Sequence, residues 1–229
     1  KFLDLHIAQH NSKHIRVLNS YNRVLQQKSA LLKQGQGNLK SHLELWNEQI
    51  LEYGSQIIRS RWEFTNLLAE KAKEIYKNIS LGKEELTMEY QALGKDDVDK
   101  ALAEFPQILE EKMPLEIERK MIYVGPHRDD LIFKLNGKSA RLYGSQGQQR
   151  SIVLSLKLGE LGVFYQGKGE YPLLLLDDVL SELDNFRREY LLRTVKKLPQ
   201  TIITMTSAEM LTDHASLLLY IENGRIGRI

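Results

Sequence analysis

The stretch "YPLLLLDDVLSELD", residues 171–184, decides the fold class of this chain. Its leucines form a short, wholly apolar run, which is typical of a strand buried on both faces of a parallel sheet. Asp177 and Asp178 follow the run directly, at the place where open α/β sheets bind their ligands. Nucleotide-hydrolysing enzymes hold Mg²⁺ with carboxylates in this position, and such enzymes also need a phosphate-binding loop.

A phosphate-binding loop follows the pattern G-x-x-x-x-G-K-[ST], and the sequence offers a single partial match. This is "NGKS", residues 136–139, but Ile132 stands where the first glycine belongs. Asn-Gly here lies between the strand-like runs "LIFKL" and "SARLY", which favours a tight hairpin turn. We therefore expect no phosphate-binding loop in these residues.

Composition and charge limit the possible classes of protein. The chain has 229 residues, of which 27% are charged and none is cysteine, so disulfides and thiolate metal sites are excluded. No apolar run approaches the roughly 20 residues of a membrane-spanning helix, and we expect no membrane partner. Residues 1–80 carry 12 Lys and Arg against 7 Asp and Glu, whereas residues 81–120 carry 6 against 11. The basic region is either a nucleic-acid surface or an ordinary solvated helical face.

The first 80 residues have the apolar spacing of helices. Two series with steps of three and four residues flank the breaker "QGQGN" at residues 34–38, which predicts an antiparallel coiled-coil-like hairpin. The second series consists of Leu43, Trp46, Ile50, Tyr53, Ile57, Phe64 and Leu67. A strand is predicted over residues 85–93, and then an acidic helix over residues 96–120, interrupted by Pro106 and Pro114.

From residue 121 onward, short apolar runs alternate with helical segments, which is the α/β pattern. We therefore predict two domains. Residues 1–120 form a mainly helical arm subdomain, and residues 121–229 form part of an α/β domain with a parallel-sheet core.

A glutamine-rich segment, "YGSQGQQRSIVLSLKLGELGVF" at residues 143–164, precedes the acidic strand. Ser145 with Gln148 three residues later forms a capping box, and the apolar residues that follow predict a buried helix. Gly144 and Gly147 allow close approach of the backbone to a ligand. A capped helix N-terminus of this kind favours an anion, although an ordinary capped core helix has the same sequence features.

Three motifs together resemble the RecF family of DNA-repair ATPases, whose heads are of the ATP-binding-cassette type. The motifs are "GPHRDDL" at residues 125–131, "YGSQGQQRS" at residues 143–151 and "LLLLDDVLSELD" at residues 173–184. They occur in the family's order, after an N-terminal helical segment that begins "KFLDL". The resemblance implies a partial cassette ATPase head with a helical arm. It also implies that the chain corresponds to the back two-thirds of such a protein, without the Walker A phosphate loop.

The resemblance also assigns roles to particular residues. Asp177 matches the aspartate that holds Mg²⁺, and Asp178 stands where most cassette ATPases carry the glutamate that activates water. The signature motif, which acts in trans on ATP bound by the other subunit, matches Ser145, Gln146, Gly147 and Gln148. The D-loop matches Ser181 and Asp184, and the candidates for the switch residue, usually a histidine, are Thr204 and Thr206.

For the whole protein, the resemblance implies a cytoplasmic ATPase that binds gapped or duplex DNA and dimerises on ATP. Its implied partners are RecR and RecO, with which it helps to load a recombinase. Arg59 and Arg61 are candidate DNA-binding residues, and His127 and Arg128 either contact nucleotide or DNA or decorate a tight turn. Three alternatives stay open: a non-catalytic DNA- or protein-binding fragment, the head of another SMC-like ATPase, and the nucleotide-binding subunit of a transporter.

Four histidines lie in the predicted arm, namely His6, His10, His14 and His42. The first three recur every four residues and would share one face of a continuous helix. We expect a solvated or DNA-facing surface there and not a metal site, because no carboxylate joins them at ligand spacing.

Overall fold

The structure is a computed structural model that describes residues 2–35, 39–206, 217–222 and 224–228. The chain divides into two compact units, Lys1–Lys168 and Gly169–Ile229. The boundary between the two units follows Lys168, later in the chain than the predicted domain boundary at residue 120. That boundary concerns the subdomains of the whole protein and stays a prediction.

Three helices begin the first unit: α1 (Phe2–His10), α2 (Ser12–Gln34) and α3 (Leu39–Ile79). The antiparallel hairpin is confirmed, because Lys28 Nζ of α2 donates to Asn47 Oδ1 of α3 at 2.6 Å and Leu32 clusters with Leu43. Gly35 ends α2 in the left-handed region, at φ 65°. The centre of the predicted turn, residues 36–38, lies outside the described residues.

The predicted seam of α3 is largely confirmed. Its residues at seven-residue intervals, Leu43, Ile50, Ile57 and Phe64, are all buried. Leu67, at the end of the series, is 42% exposed, whereas the next residue, Leu68, is fully buried. The seven-residue repeat therefore fits α3 up to Phe64, and the buried face then drifts, as it does on a straight helix with 3.6 residues per turn.

A small antiparallel sheet and a long helix follow the hairpin. The elements are β1 (Leu86–Gln91), α4 (Val98–Arg119), β2 (Asp130–Leu135) and β3 (Lys138–Ser139), with strand order β1-β2-β3. The predicted strand at residues 85–93 is therefore confirmed. The turn between β2 and β3 has φ 47° at Asn136 and φ 78° at Gly137, so the Asn-Gly hairpin is also confirmed.

The predicted interruption of the acidic helix is wrong, since α4 runs continuously through Pro106 and Pro114. A proline in a helix interior costs about 3 kcal/mol. Three apolar residues that flank the prolines, Phe105, Leu109 and Met113, are buried. Their burial offsets the loss of two backbone hydrogen bonds, which local propensity alone does not predict.

A buried ion pair joins α4 to the hairpin. Glu116 Oε2 lies 2.5 Å from Lys28 Nζ, and both side chains are fully buried. The other carboxylate oxygen of Glu116 accepts a hydrogen bond from the backbone N–H of Tyr123 at 2.8 Å. Burial lowers the pKa of Lys28, and the neighbouring Glu116 carboxylate opposes that shift.

Two further helices complete the first unit, α5 (Ala140–Tyr143) and α6 (Gln146–Lys168). The strand-like reading of "SARLY" is wrong, because only Ser139 of this run belongs to a strand. The helix predicted after the glutamines is confirmed. It packs against α3 at Gly159, where an added Cβ would lie 3.3 Å from the backbone N of Ala72.

The second unit carries the acidic motif. Its described elements are β4 (Leu174–Asp177), α7 (Asn185–Val195), β5 (Thr201–Thr204), β6 (Leu219–Glu222) and β7 (Arg225–Arg228). β4 and β5 are parallel, and β6 and β7 form an antiparallel pair. An α/β fold with a helical arm is therefore confirmed. Among the helices of the described residues, none is long and apolar enough to cross a bilayer.

Burial of β4 on both faces is not observed. Leu176 is buried, but Leu175 is 65% exposed and Leu173 is 50% exposed. Within the described residues the parallel sheet has only two strands.

Candidate nucleotide site

The two aspartates of the opening motif lie at the carboxyl end of β4, paired with the corresponding end of β5. In the parallel register Asp177 is opposite Thr204. Thr204 Oγ1 donates to Asp177 Oδ1 at 2.5 Å and accepts from the backbone N–H of Asp178 at 3.1 Å. The single threonine hydroxyl therefore orients both acidic residues, while both carboxylates remain exposed to ligands.

The backbone of Asp178 lies in the left-handed helical region, with φ 50° and ψ 22°. Aspartate and asparagine tolerate this region much better than residues with longer side chains. The backbone therefore gives a physical reason for aspartate instead of glutamate at residue 178.

Ser181 and Asp184, the predicted D-loop residues, shape the turn that follows. Ser181 Oγ donates to the backbone oxygen of Asp178 at 2.8 Å. Asp184 caps α7, because its carboxylate accepts from the backbone N–H of Arg187 at 2.9 Å and also pairs with the Arg187 guanidinium. Both residues thus fix the local backbone after Asp178, and their predicted contact with a second subunit stays a prediction.

The predicted signature residues include the expected capping box, which the structure confirms. Ser145 Oγ accepts from the backbone N–H of Gln148 at 3.2 Å, and Gln148 Oε1 accepts from the backbone N–H of Ser145 at 2.7 Å. Gln146 and Gly147 begin α6, with Gln146 exposed. An accepting hydroxyl still carries its own proton, so Ser145 can donate to a phosphate oxygen at this helix N-terminus.

Sequence reasoning missed one partner of the signature. Gln148 Nε2 donates to Glu84 Oε1 at 2.5 Å, across 64 positions of the chain. Glu84 lies between α3 and β1, and no periodicity or motif of the sequence marks it. Only the packing of α6 beside α3 brings the two side chains together.

The second switch candidate, Thr206, is exposed and lies two residues beyond the end of β5. Thr204 contacts both aspartates, as described above, whereas Thr206 is farther along the chain. The geometry favours Thr204 of the two candidates, and its switch role stays a prediction.

The two candidate DNA-binding arginines differ in their surroundings. Arg59 is half exposed and pairs with exposed Asp99 at 3.3 Å. Arg61 is nearly buried, with two 2.8 Å hydrogen bonds to the carboxylate of Asp4 and one of 2.5 Å to the backbone oxygen of Pro126. DNA binding stays a prediction for both residues, but the contacts of Arg61 are those of an internal structural clamp.

The Arg61 clamp alters the titration of Asp4. Burial alone would raise the pKa of Asp4, but hydrogen bonds from His14 and Arg61 and the Arg61 charge hold that pKa well below its usual range. Burial would also lower the pKa of Arg61, and the Asp4 carboxylate raises it instead. Each charge therefore stabilises the other in the folded protein.

The "GPHRDD" segment is packed into the first unit. Tyr21 Oη lies 2.8 Å from His127 Nδ1, and Arg128 donates to the backbone oxygen of Ile122 at 2.9 Å. The pKa of His127 is lowered to about 4, because desolvation of its ring and the adjacent Arg128 charge disfavour the protonated form. Gly125 has φ 133°, and a Cβ there would lie 2.2 Å from Tyr21 Oη, so glycine is required. These contacts are those of a packed turn, and a nucleotide or DNA contact for His127 and Arg128 stays a prediction.

The first three histidines of the arm do not share the expected solvated face, whereas His42 is exposed. α1 ends at His10 and α2 starts at Ser12, so His14 lies on a separate helix. His14 is buried 3.2 Å from Asp4, and His6 lies 3.2 Å from Glu160. No cluster of three potential metal ligands occurs among the described residues.

Two protein relatives of this chain share one description. No family model matches the chain. It is 71% identical to the "DNA replication and repair protein RecF" of Desulfitobacterium hafniense (strain DSM 10664 / DCB-2), over 100% of this chain and 64% of that protein. It is 39% identical to the protein of the same description from Lysinibacillus sphaericus (strain C3-41), over 99% of this chain and 64% of that one.

Solved structures agree with these sequence relatives. The "recombination mediator protein RecF-ATP in RecFOR pathway" matches with a TM-score of 0.86 and 30% identity, over 100% of this chain and 61% of that one. The corresponding structure with "ATPrS" also matches with a TM-score of 0.86, at 31% identity. The chain thus spans 64% of the length of the curated relatives that it matches. It belongs to the RecF family, and it corresponds to part of a RecF protein.

Proposed function

We propose that this chain is the part of a RecF-type ATPase that supplies the magnesium-binding and water-activating carboxylates and the trans-acting signature. The whole protein would be an ATP-dependent DNA clamp in recombinational repair of gapped DNA. The observation that carries the proposal is the cluster of Asp177, Asp178 and Thr204 at the ends of two parallel strands.

The residues present fit a magnesium-nucleotide site. Asp177 is exposed, and the hydrogen bond from Thr204 orients one of its oxygens. Mg²⁺ is commonly bound through one or two carboxylates together with substrate phosphates and waters, so a cage of protein ligands is not required. When bound, Mg²⁺ would neutralise charge on the β- and γ-phosphates of ATP.

Asp178 would orient the attacking water and accept its proton. Its carboxylate is exposed and follows Asp177 directly, while its backbone N–H is tied to Thr204. A fixed backbone limits the positions that this carboxylate can take beside Asp177. General-base assistance of this kind contributes about 10²–10⁴ in rate.

The signature would act on ATP bound by a second copy of the protein, which gives a homodimer that depends on ATP. Ser145 is exposed at the N-terminus of α6, where the helix dipole favours a phosphate. Ser181 and Asp184 would lie in the D-loop, which would contact the second copy of the protein.

DNA would be a second partner, bound through phosphate contacts of the basic arm, to which exposed Arg59 contributes. RecR and RecO would be the protein partners, in a cytoplasmic pathway that loads a recombinase. The solved relative described as a mediator in the "RecFOR pathway" supports this assignment. The alternative is that these residues serve only as a DNA- or protein-binding module. Hydrolysis by the full-length protein would decide against that alternative.

The test uses full-length protein in a sizing experiment with ATP, beside a phosphate-release assay. Ser145→Arg should abolish ATP-dependent dimerisation and turnover, because a bulky cation would occupy the place of the partner's phosphate. The control is Ser41→Arg, the same change at an exposed position of α3. Dimerisation and turnover of Ser145→Arg at the parental level would overturn the proposed trans-acting signature.

A further inference from the structure

Glu84 lies in a short, fixed connection between the long helix α3 and strand β1. The backbone N–H of Ser80 donates to Tyr76 O, and that of Gly82 donates to Lys77 O, both at 2.8 Å, so the end of α3 is closed. On the other side, the backbone N–H of Glu85 donates to Asn136 Oδ1 at 2.8 Å. The main chain is therefore held on both sides of Glu84.

The side chain of Glu84 joins two parts of the first unit. Its Oε2 accepts from the hydroxyl of Tyr76 at 2.7 Å, and its Oε1 accepts from Gln148 Nε2 at 2.5 Å. Tyr76 belongs to α3 and is only 1% exposed, so its hydroxyl is a fixed donor. The carboxylate is thus anchored to α3 while it contacts the first turn of α6.

This contact determines which way the carboxamide of Gln148 faces. A carboxamide has one donating and one accepting end, and an acceptor beside Nε2 forces Oε1 to the opposite side. There Oε1 accepts from the backbone N–H of Ser145 at 2.7 Å. The reciprocal bond from Gln148 N to Ser145 Oγ then fixes the serine hydroxyl.

We propose that Glu84, anchored by Tyr76, is a positioning residue of the signature motif. It acts through Gln148, by holding Ser145 in the orientation that receives the partner's phosphate. The inference rests on the proposed function of Ser145, and it adds a residue outside the three sequence motifs.

The proposal can be tested with four variants of the full-length protein. Glu84→Ala removes both hydrogen bonds, whereas Glu84→Gln can keep an acceptor for Gln148 and a polar partner for Tyr76. Glu85→Ala is the matched control, since it removes a neighbouring carboxylate that pairs only with exposed Lys73 among the ion pairs of the described residues. Tyr76→Phe provides a milder second perturbation should Glu84→Ala fail to fold.

The measurements are the protein concentration for half-dimerisation at saturating ATP, and the ATP affinity of the dilute monomer. Glu84→Ala should raise the concentration for half-dimerisation about tenfold, because a hydrogen bond to a charged group is lost. The same variant should leave the ATP affinity of the dilute monomer unchanged, because the signature acts only on the partner's nucleotide. Glu84→Gln should stay within about threefold of the parent, and Tyr76→Phe should raise the concentration about threefold.

Two outcomes would overturn the inference alone: parental dimerisation of both Glu84→Ala and Tyr76→Phe, or an equal loss in Glu84→Gln and Glu84→Ala. Weakened ATP binding by the Glu84→Ala monomer would show a general structural role and would also overturn it. If the parental protein itself does not dimerise with ATP, the proposed function fails first, and the inference falls with it.

Discussion

The two compact units of this chain use their charged residues in opposite ways. In the first unit, Lys28 and Glu116 are fully buried together, and Arg61 is nearly buried against Asp4. In the second unit, Asp177 and Asp178 are exposed at the ends of strands, and all four residues of β6 are exposed.

The contrast separates residues that hold the fold from residues that are available to ligands. The two buried pairs of the first unit, Lys28 with Glu116 and Arg61 with Asp4, are desolvated, so removing one partner should destabilise the protein. The exposed aspartates of the second unit add little to stability, and their chemistry needs a nucleotide. We therefore expect substitutions of these buried charges to change the free energy of unfolding, and substitutions at Asp177 and Asp178 to change turnover.

The largest expected effect is on turnover, in the second unit. Asp178→Asn in the full-length protein should lower ATP hydrolysis by about 10²–10⁴, because the general base is lost. The change suits the backbone, since asparagine also tolerates the left-handed region that this residue occupies at φ 50°. The ATP-bound dimer should persist or accumulate, which a sizing run with ATP beside a phosphate-release assay would show.

Asp177→Asn is the matched comparison, because the same chemical change falls one residue earlier. It should weaken the Mg²⁺ site and so reduce ATP-dependent dimerisation together with turnover. Parental hydrolysis by Asp178→Asn would show that another residue orients the water. A melting temperature lowered by many degrees in either variant would contradict the expectation that these exposed aspartates add little to stability.

The next effect is on stability and its dependence on pH, in the first unit. The pKa of Asp4 is depressed by Arg61 and His14 against the opposing effect of burial. Its contribution is therefore fully present above the unfolded value near 4, and it is lost as the pH falls toward the folded pKa. Asp4→Asn should cost about 2–3 kcal/mol of unfolding free energy at pH 7.

Urea unfolding at pH 7 and pH 3 measures this effect. The difference between parent and Asp4→Asn should shrink at pH 3, because the parent has then lost part of the same stabilisation. Asp99→Asn is the control, since Asp99 is 78% exposed and pairs with exposed Arg59. Such surface pairs contribute about 0–1 kcal/mol. Equal losses in the two variants would contradict the clamp assigned to Arg61.

Much of the first unit could be predicted because its signals are local. The spacing of Leu43, Ile50 and Ile57 predicts the hairpin, and the capping box of Ser145 with Gln148 predicts the start of α6. Each of these patterns acts within a few residues, so one sequence is sufficient to recognise it.

Local sequence patterns were insufficient where distant parts of the chain decide the contacts. Burial of Phe105 and its neighbours keeps α4 helical through two prolines. The sequence around the prolines does not reveal that these apolar residues are buried. Arg61 belongs to a basic region, yet its charge is matched by Asp4, 57 positions earlier. The Glu84–Gln148 contact likewise depends on the packing of α3 beside α6. Spacing along a sequence reports which residues share a face, but not which face meets another element.

The smallest effect concerns that packing, and it compares two glycines of one helix. A Cβ on Gly159 would lie 3.2 Å from Leu68 Cδ1 and 3.3 Å from the backbone N of Ala72, whereas a Cβ on Gly162 would be 3.6 Å from the Lys71 side chain. Alanine gains about 1 kcal/mol of helix propensity over glycine at either site.

At Gly162 this gain should remain, so Gly162→Ala should stabilise the protein by up to about 1 kcal/mol. At Gly159 the backbone of α3 must shift, and crowding of a packed interface costs about 1–3 kcal/mol, so Gly159→Ala should be neutral to destabilising by about 2 kcal/mol. Urea midpoints of the two variants give the comparison directly. An equal gain at both positions would show that α3 and α6 are not in the close contact on which the positioning of Gln148 by Glu84 depends.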